Sequence, residues 1–182
     1  MRRRFLRILV MPLLVLALVG LAAASAGCGE EETAEAKEGE PLELGDLSYN
    51  IQITRELNRF SPEDAAYLEG APRIGPNQEY LGVFMQVTNQ GDEEAVIPGP
   101  LEIIDTRGTV YRQVPLDNEW SLKPGTLVPP GDTVPGPETV ARNGSIEGSM
   151  ALFVVDQSAN ENRPLVLEVP GPHEAGEIIL DL

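Results

Sequence analysis

The stretch that decides the fold is Tyr80-Leu81-Gly82-Val83-Phe84-Met85-Gln86-Val87-Thr88-Asn89-Gln90-Gly91-Asp92. Leu81, Val83, Met85 and Val87 recur with a period of two, which places them on one face of a half-buried β-strand. Asn89 to Asp92 then supply a turn cluster. Upstream, Leu47, Tyr49, Ile51 and Ile53 alternate with Ser48, Asn50, Gln52 and Thr54, predicting a second strand of the same kind. Downstream, residues 101–104 and 109–114 flank Asp105-Thr106-Arg107-Gly108, a hairpin in which Gly at the fourth position suits a left-handed residue. Ile146, Gly148, Met150, Leu152 and Val154 alternate again, and residues 165–169 and 178–182 close the set.

Between the first two strands, Ser61-Pro62-Glu63-Asp64 reads as a helix start, with an N-cap, Pro at the first position and acids in the first turn. Gly70 and Pro72 would stop that helix after about two turns. Residues 126–140 are too rich in Pro for a central strand and predict an edge or a crossing loop. Seven or eight short strands with one short helix in an insertion predict an all-β, antiparallel β-sandwich over residues 42–182.

The N-terminus carries a different signal. Met1-Arg2-Arg3-Arg4-Phe5-Leu6-Arg7 precedes an apolar run from Ile8 through Leu21, the charged and apolar regions of an export signal. Ser25-Ala26-Gly27-Cys28 follows, and Cys28 is the single cysteine of the 182-residue chain. Residues 28–41 are rich in Glu and lack a large apolar side chain up to Pro41. They cannot bury enough surface to offset ordering entropy, which predicts a disordered acidic tether.

Acidic residues outnumber basic ones 29 to 13, giving a net charge of −16. Cleavage after residue 27 would remove Arg2, Arg3, Arg4 and Arg7 but no acid, so the remaining chain is more acidic still. That balance argues against nucleic acid as a partner, whose phosphates need clustered cations. One Cys excludes an internal disulfide, and one Cys with one His cannot furnish an ordinary zinc site. No cofactor and no tightly bound metal are expected. Asp156 to Asn162 spaces its oxygens like the start of a calcium loop but has Glu161 and Leu167 where Gly and a bidentate Glu belong, and reads as a polar turn. Asp92, Glu93 and Glu94 read as a solvated turn. His173 sits in a Pro-Gly-Pro turn with no Gly-x-Ser-x-Gly nucleophile elbow elsewhere, so no catalytic residue is expected. Met85 and Met150 fall on apolar strand faces and are read as core. Trp120, in the polar stretch Leu116 to Leu122, either folds back to cap the sandwich or offers an indole to a sugar or a small ligand, making it the candidate ligand contact.

Two resemblances sharpen these readings. Ser25-Ala26-Gly27-Cys28 resembles the lipobox of bacterial lipoproteins, with Ser25 where that family usually carries Leu. It implies a signal peptide over residues 1–27 and diacylation of Cys28, the lipid attachment residue. Ordinary cleavage after Ala24-Ser25-Ala26 and an uncleaved anchor over Ile8 to Gly27 remain as rival readings. The order Tyr80 to Gly91, Leu101 to Tyr111 and Val128-Pro129-Pro130-Gly131-Asp132 resembles the immunoglobulin-like domain of unknown function found on many bacterial lipoproteins. That resemblance implies a β-sandwich on the outer face of the cell membrane and no reaction. The expected partners are the membrane, through Cys28, and an unidentified envelope protein or polymer.

Overall fold

A computed structural model describes residues 33–172 and 175–182. The expected signal peptide, Cys28 and His173 lie outside the described residues. Among the described residues no helix is long and apolar enough to cross a membrane.

The fold is a β-sandwich. One sheet is ordered β1 (Ala34–Lys37), β12 (Gly176–Ile179), β11 (Val166–Val169), β6 (Glu102–Ile104) and β7 (Val110–Arg112). The other is ordered β10 (Ser149–Asp156), β4 (Gln78–Asn89), β3 (Leu47–Leu57) and β2 (Leu42–Leu44), with β9 (Thr133–Val134) added beside β4. A small ribbon pairs β5 (Ala95–Val96) with β8 (Leu127–Val128). All pairings between these strands are antiparallel except β1 with β12. The Pro-rich stretch holds only β8 and β9, as its composition predicts.

The period-two residues of β3 and β4 meet between the sheets, whereas the alternating set read in β10, Met150, Leu152 and Val154, faces outward and its neighbours Ala151, Phe153 and Val155 face in. Tyr49, Ile51, Leu81, Val83, Met85, Val87, Ala151, Phe153 and Val155 pack against Leu101, Ile103, Leu167, Val169 and Ile178 in one buried cluster. Each large side chain taken fully out of water there contributes about 1.5–3 kcal/mol. The predicted hairpin forms at Asp105 to Gly108, where Gly108 has φ +80° and the Asp105 carboxylate accepts the N–H groups of Arg107 (2.9 Å) and Thr109 (2.8 Å). Burial alone would raise the Asp105 carboxyl. Those bonds, the Thr109 side chain and the Arg107 charge together hold it below the usual carboxylate range.

Three expectations need correction. Residues 34–37, assigned to the tether, are a strand, so the folded domain starts at Ala34 and not at residue 42. Ala36 buries its methyl, and the Glu38 carboxylate accepts the N–H of Thr54 (2.9 Å) from one sheet and of Asp181 (3.0 Å) beyond the end of the other. Backbone pairing and one bridging carboxylate hold a segment whose side chains bury almost nothing. Second, Ile53 leaves the face of Leu47, Tyr49 and Ile51: the register with β4 slips between Ile51 and Ile53, a β-bulge that turns Ile53 outward. Third, residues 61–70 form successive turns, and the short α-helix lies at Val140–Asn143 (α1), where the Thr139 hydroxyl accepts the Arg142 N–H. The Asp64 side chain, expected at a helix N-terminus, is instead drawn into the protein by Arg55.

The strands define two ends. Near the start of β1 lie Gly45 and Pro172, close enough that a Cβ on Gly45 would stand 3.1 Å from the Pro172 ring. β3 runs from that end to Leu57, about 30 Å away at strand rise. At that far end the chain enters the 59–78 insertion.

Candidate functional site

The sheet of β10, β4 and β3 is buried on its outer face as well. Leu57, Tyr80, Phe84, Met150 and Leu152 project there, and Tyr67 and Leu68 from the insertion cover them. Gly82 makes this possible, since a Cβ would stand 2.9 Å from Leu57 and 3.1 Å from Phe84. Met85 therefore packs between the sheets and Met150 under the insertion. The core reading of both methionines holds.

The insertion is clamped by polar groups. Asp64, only 4% exposed, takes the Arg55 guanidinium on one carboxylate oxygen and the Asn58 N–H (2.9 Å) on the other. The Arg59 guanidinium donates to the carbonyls of Ala71 and Pro72 (3.0 Å each) and to the Tyr80 hydroxyl (2.6 Å), and lies 5.4 Å from the centre of the Tyr80 ring. The Tyr80 hydroxyl in turn donates to the Pro72 carbonyl.

An open cleft of about 770 Å³ lies between this insertion and the sheet end. Its apolar part is made by Leu57, Ile74 and Tyr80, and Phe60 and Arg73 stand on it as exposed side chains. Glu56 and Glu79 also line it. The Asn160 amide donates to both carboxylates (3.0 and 2.7 Å), and its oxygen accepts from Arg163 (2.8 Å). Burial, helped by the Glu56 charge, raises the Glu79 carboxyl, with Asn160 and Arg163 opposing.

Trp120, the sequence candidate, borders a second cleft of about 540 Å³ with Glu69, Gly70, Asp117, Asn118 and Glu119. Its indole is half-buried. The ring meets Tyr67 edge-on at 4.8 Å, and Tyr67 meets Phe84 edge-on at 5.0 Å. Asn118 fixes the loop: its amide donates to the carbonyls of Tyr67 (3.0 Å) and Glu69 (3.1 Å), and its oxygen accepts the Trp120 N–H (3.0 Å). Asp117 pairs with Lys123, whose hydrogen bond and charge lower its carboxyl. The indole therefore caps the outer face while leaving one side on the cleft.

The remaining polar motifs fall as plain turns. Asp92, Glu93 and Glu94 are exposed, and residues 157–161 form a 3-10 helix. Among the described residues no three His, Cys, Asp or Glu side chains gather where they could hold a metal. Sequence reading missed Phe60, Arg59 and Arg73. Their one signal is an aromatic beside an arginine in an otherwise polar insertion, and strand periodicity does not register it.

No family model matches the chain, and no curated protein matches it. Among solved structures it is similar to an uncharacterised β-sandwich protein of Clostridium difficile 630, at 11% identity over 84% of this chain and 97% of that one, with a TM-score of 0.50. It also matches the secreted protein MPT63 of Mycobacterium tuberculosis (14% identity, 84% and 99% covered, TM-score 0.49) and the yjhA protein of Bacillus subtilis (11%, 80% and 99%, TM-score 0.48). At 11% identity the likeness to the Clostridium difficile protein is one of fold alone, the β-sandwich.

Proposed function

We propose that the protein is a non-enzymatic, lipid-anchored binding or accessory module on the extracytoplasmic face of a bacterial membrane. The observation that carries this reading is the order basic segment, apolar run, Ala26-Gly27-Cys28, then a β-sandwich beginning at Ala34. Export and acylation account for the first three, and a surface domain for the fourth. The acidic domain gains nothing from an anionic lipid surface and needs the acyl chains to stay there. Only five residues separate Cys28 from Ala34, at most about 20 Å of chain. The end of the sandwich bearing Gly45 and Pro172 would then face the bilayer, and the cleft at Leu57 and Tyr80 would lie at the opposite end. The test is Cys28→Ala: the variant leaves the membrane fraction and takes up no fatty-acid label. Unchanged retention and labelling would refute the anchor.

The second reading is a carbohydrate or small-ligand receptor using Trp120, favoured by the polar cleft beside a half-buried indole. A sugar panel that shifts Trp120 emission at millimolar concentration supports it. An unresponsive spectrum across the panel counts against it.

A further inference from the structure

The cleft at the insertion has features that folding does not use. Phe60 is 93% exposed, and its N–H is held by the Asn58 side-chain oxygen (2.9 Å), a turn that fixes the backbone from which the ring projects. Arg73 has no carboxylate partner among the described residues, although the chain has 29 acids to 13 bases. Arg55, Arg112 and Lys123 are the three of the nine described Lys and Arg that have one. Arg59 turns one guanidinium nitrogen to carbonyls and a phenol and pairs with no acid among the described residues. The acids of the cleft, Glu56 and Glu79, pair in register with Leu81 and Val155, so they lie on the inner-face side of the sheet end, where Asn160 holds them. The insertion side of the cleft is therefore cationic, with an apolar floor and one solvent-exposed ring.

We propose that this cleft docks an extended peptide segment of a partner protein, one that lays a large apolar side chain against Phe60 and Ile74 and an acidic residue on Arg73. Charge selects this occupant: the acidic remainder of the domain repels such a segment, and the two guanidinium groups give it a place to settle. An exposed aromatic beside arginine is also the composition of an interface anchor. The proposal deepens the binding-module reading and does not depend on acylation of Cys28.

The full chain in detergent is titrated with fluorescein-labelled peptides carrying Glu-Phe in a Gly/Ser background, and with matched Lys-Phe peptides. Glu-Phe peptides bind, and Phe60→Ser and Arg73→Glu each weaken binding about tenfold or more, a loss of 1.4 kcal/mol per tenfold. Arg73→Glu reverses the preference toward Lys-Phe, which a misfolded variant cannot do. Absence of peptide binding, equal binding by the variants, or oligosaccharide or vesicle binding that Phe60→Ser abolishes would overturn the proposal. A photocrosslinker at Leu127, at the other end of the sandwich, separates the two readings. Envelope material captured there while peptides ignore the cleft would sink the cleft and leave the module standing.

Discussion

Trp120 rests directly on Gly144: a Cβ at position 144 would stand 2.5 Å from the indole Cζ3 and 2.7 Å from Cη2. The glycine ending α1 is thus the space into which the ring folds, and the sequence Asn143-Gly144-Ser145 has a packing role. Gly144→Ala should push the indole outward toward the cleft at a cost of about 1–3 kcal/mol, the usual range for overpacking. Trp120 is the single tryptophan, so a red shift of its emission together with a lowered melting temperature reports this directly. An unshifted spectrum would mean that the ring does not use this space.

The Asp105 hairpin should give the domain part of its acid sensitivity. Hydrogen bonds and the Arg107 charge hold its folded pKa below the unfolded value of about 4. The resulting stability is fully present above the unfolded pKa and is lost as pH falls through the folded one. Asp105→Asn keeps an acceptor for the Arg107 and Thr109 N–H groups but removes the charge. Urea melts of this variant should lose less stability between pH 5 and pH 2 than the parent, about 1 kcal/mol less at most. Parallel curves would exclude a contribution from this carboxylate.

How much of the fold is legible in the sequence can be seen at Ile51 and Ile53. Alternation finds the strands wherever one face is buried, which is why β3, β4, β6, β7, β10, β11 and β12 are all readable. It assumes an unbroken register, and a bulge breaks it without any change in composition. Ile51 is 1% exposed and Ile53 is 38% exposed. Ile51→Thr should cost about 2–4 kcal/mol, combining lost methyl packing with a buried hydroxyl, whereas Ile53→Thr should cost under about 1 kcal/mol. Equal costs in chemical denaturation would mean that the register runs unbroken. The site is less legible than the fold for a related reason. Trp120 stands out in the sequence by its rarity, but Phe60 and Arg73 become notable only when Arg55, Asp64 and Arg59 fold the insertion over the sheet, and those contacts span nine to thirteen residues with no periodicity.

Glu38 decides whether the segment after Cys28 is a spacer or part of the domain. Composition reads it as a spacer, since Ala34 to Lys37 buries little more than the Ala36 side chain. The strand gains its place from main-chain pairing with β12 and from the Glu38 carboxylate, whose two oxygens take N–H groups of Thr54 and Asp181. A carboxylate serving two backbone donors is worth about 1.5–3 kcal/mol per bond when desolvated and less when half-exposed, as here. Glu38→Ala should therefore cost about 1–2 kcal/mol and release β1 locally. Hydrogen exchange at residues 35–38 should speed up by tenfold or more while β3 and β4 stay protected, because edge strands open without the core. If β1 exchanged at solvent rates in the parent protein, the strand would be no part of the stable fold. The tether would then extend to Pro41 as composition alone suggests, roughly doubling the distance over which the domain can stand from Cys28.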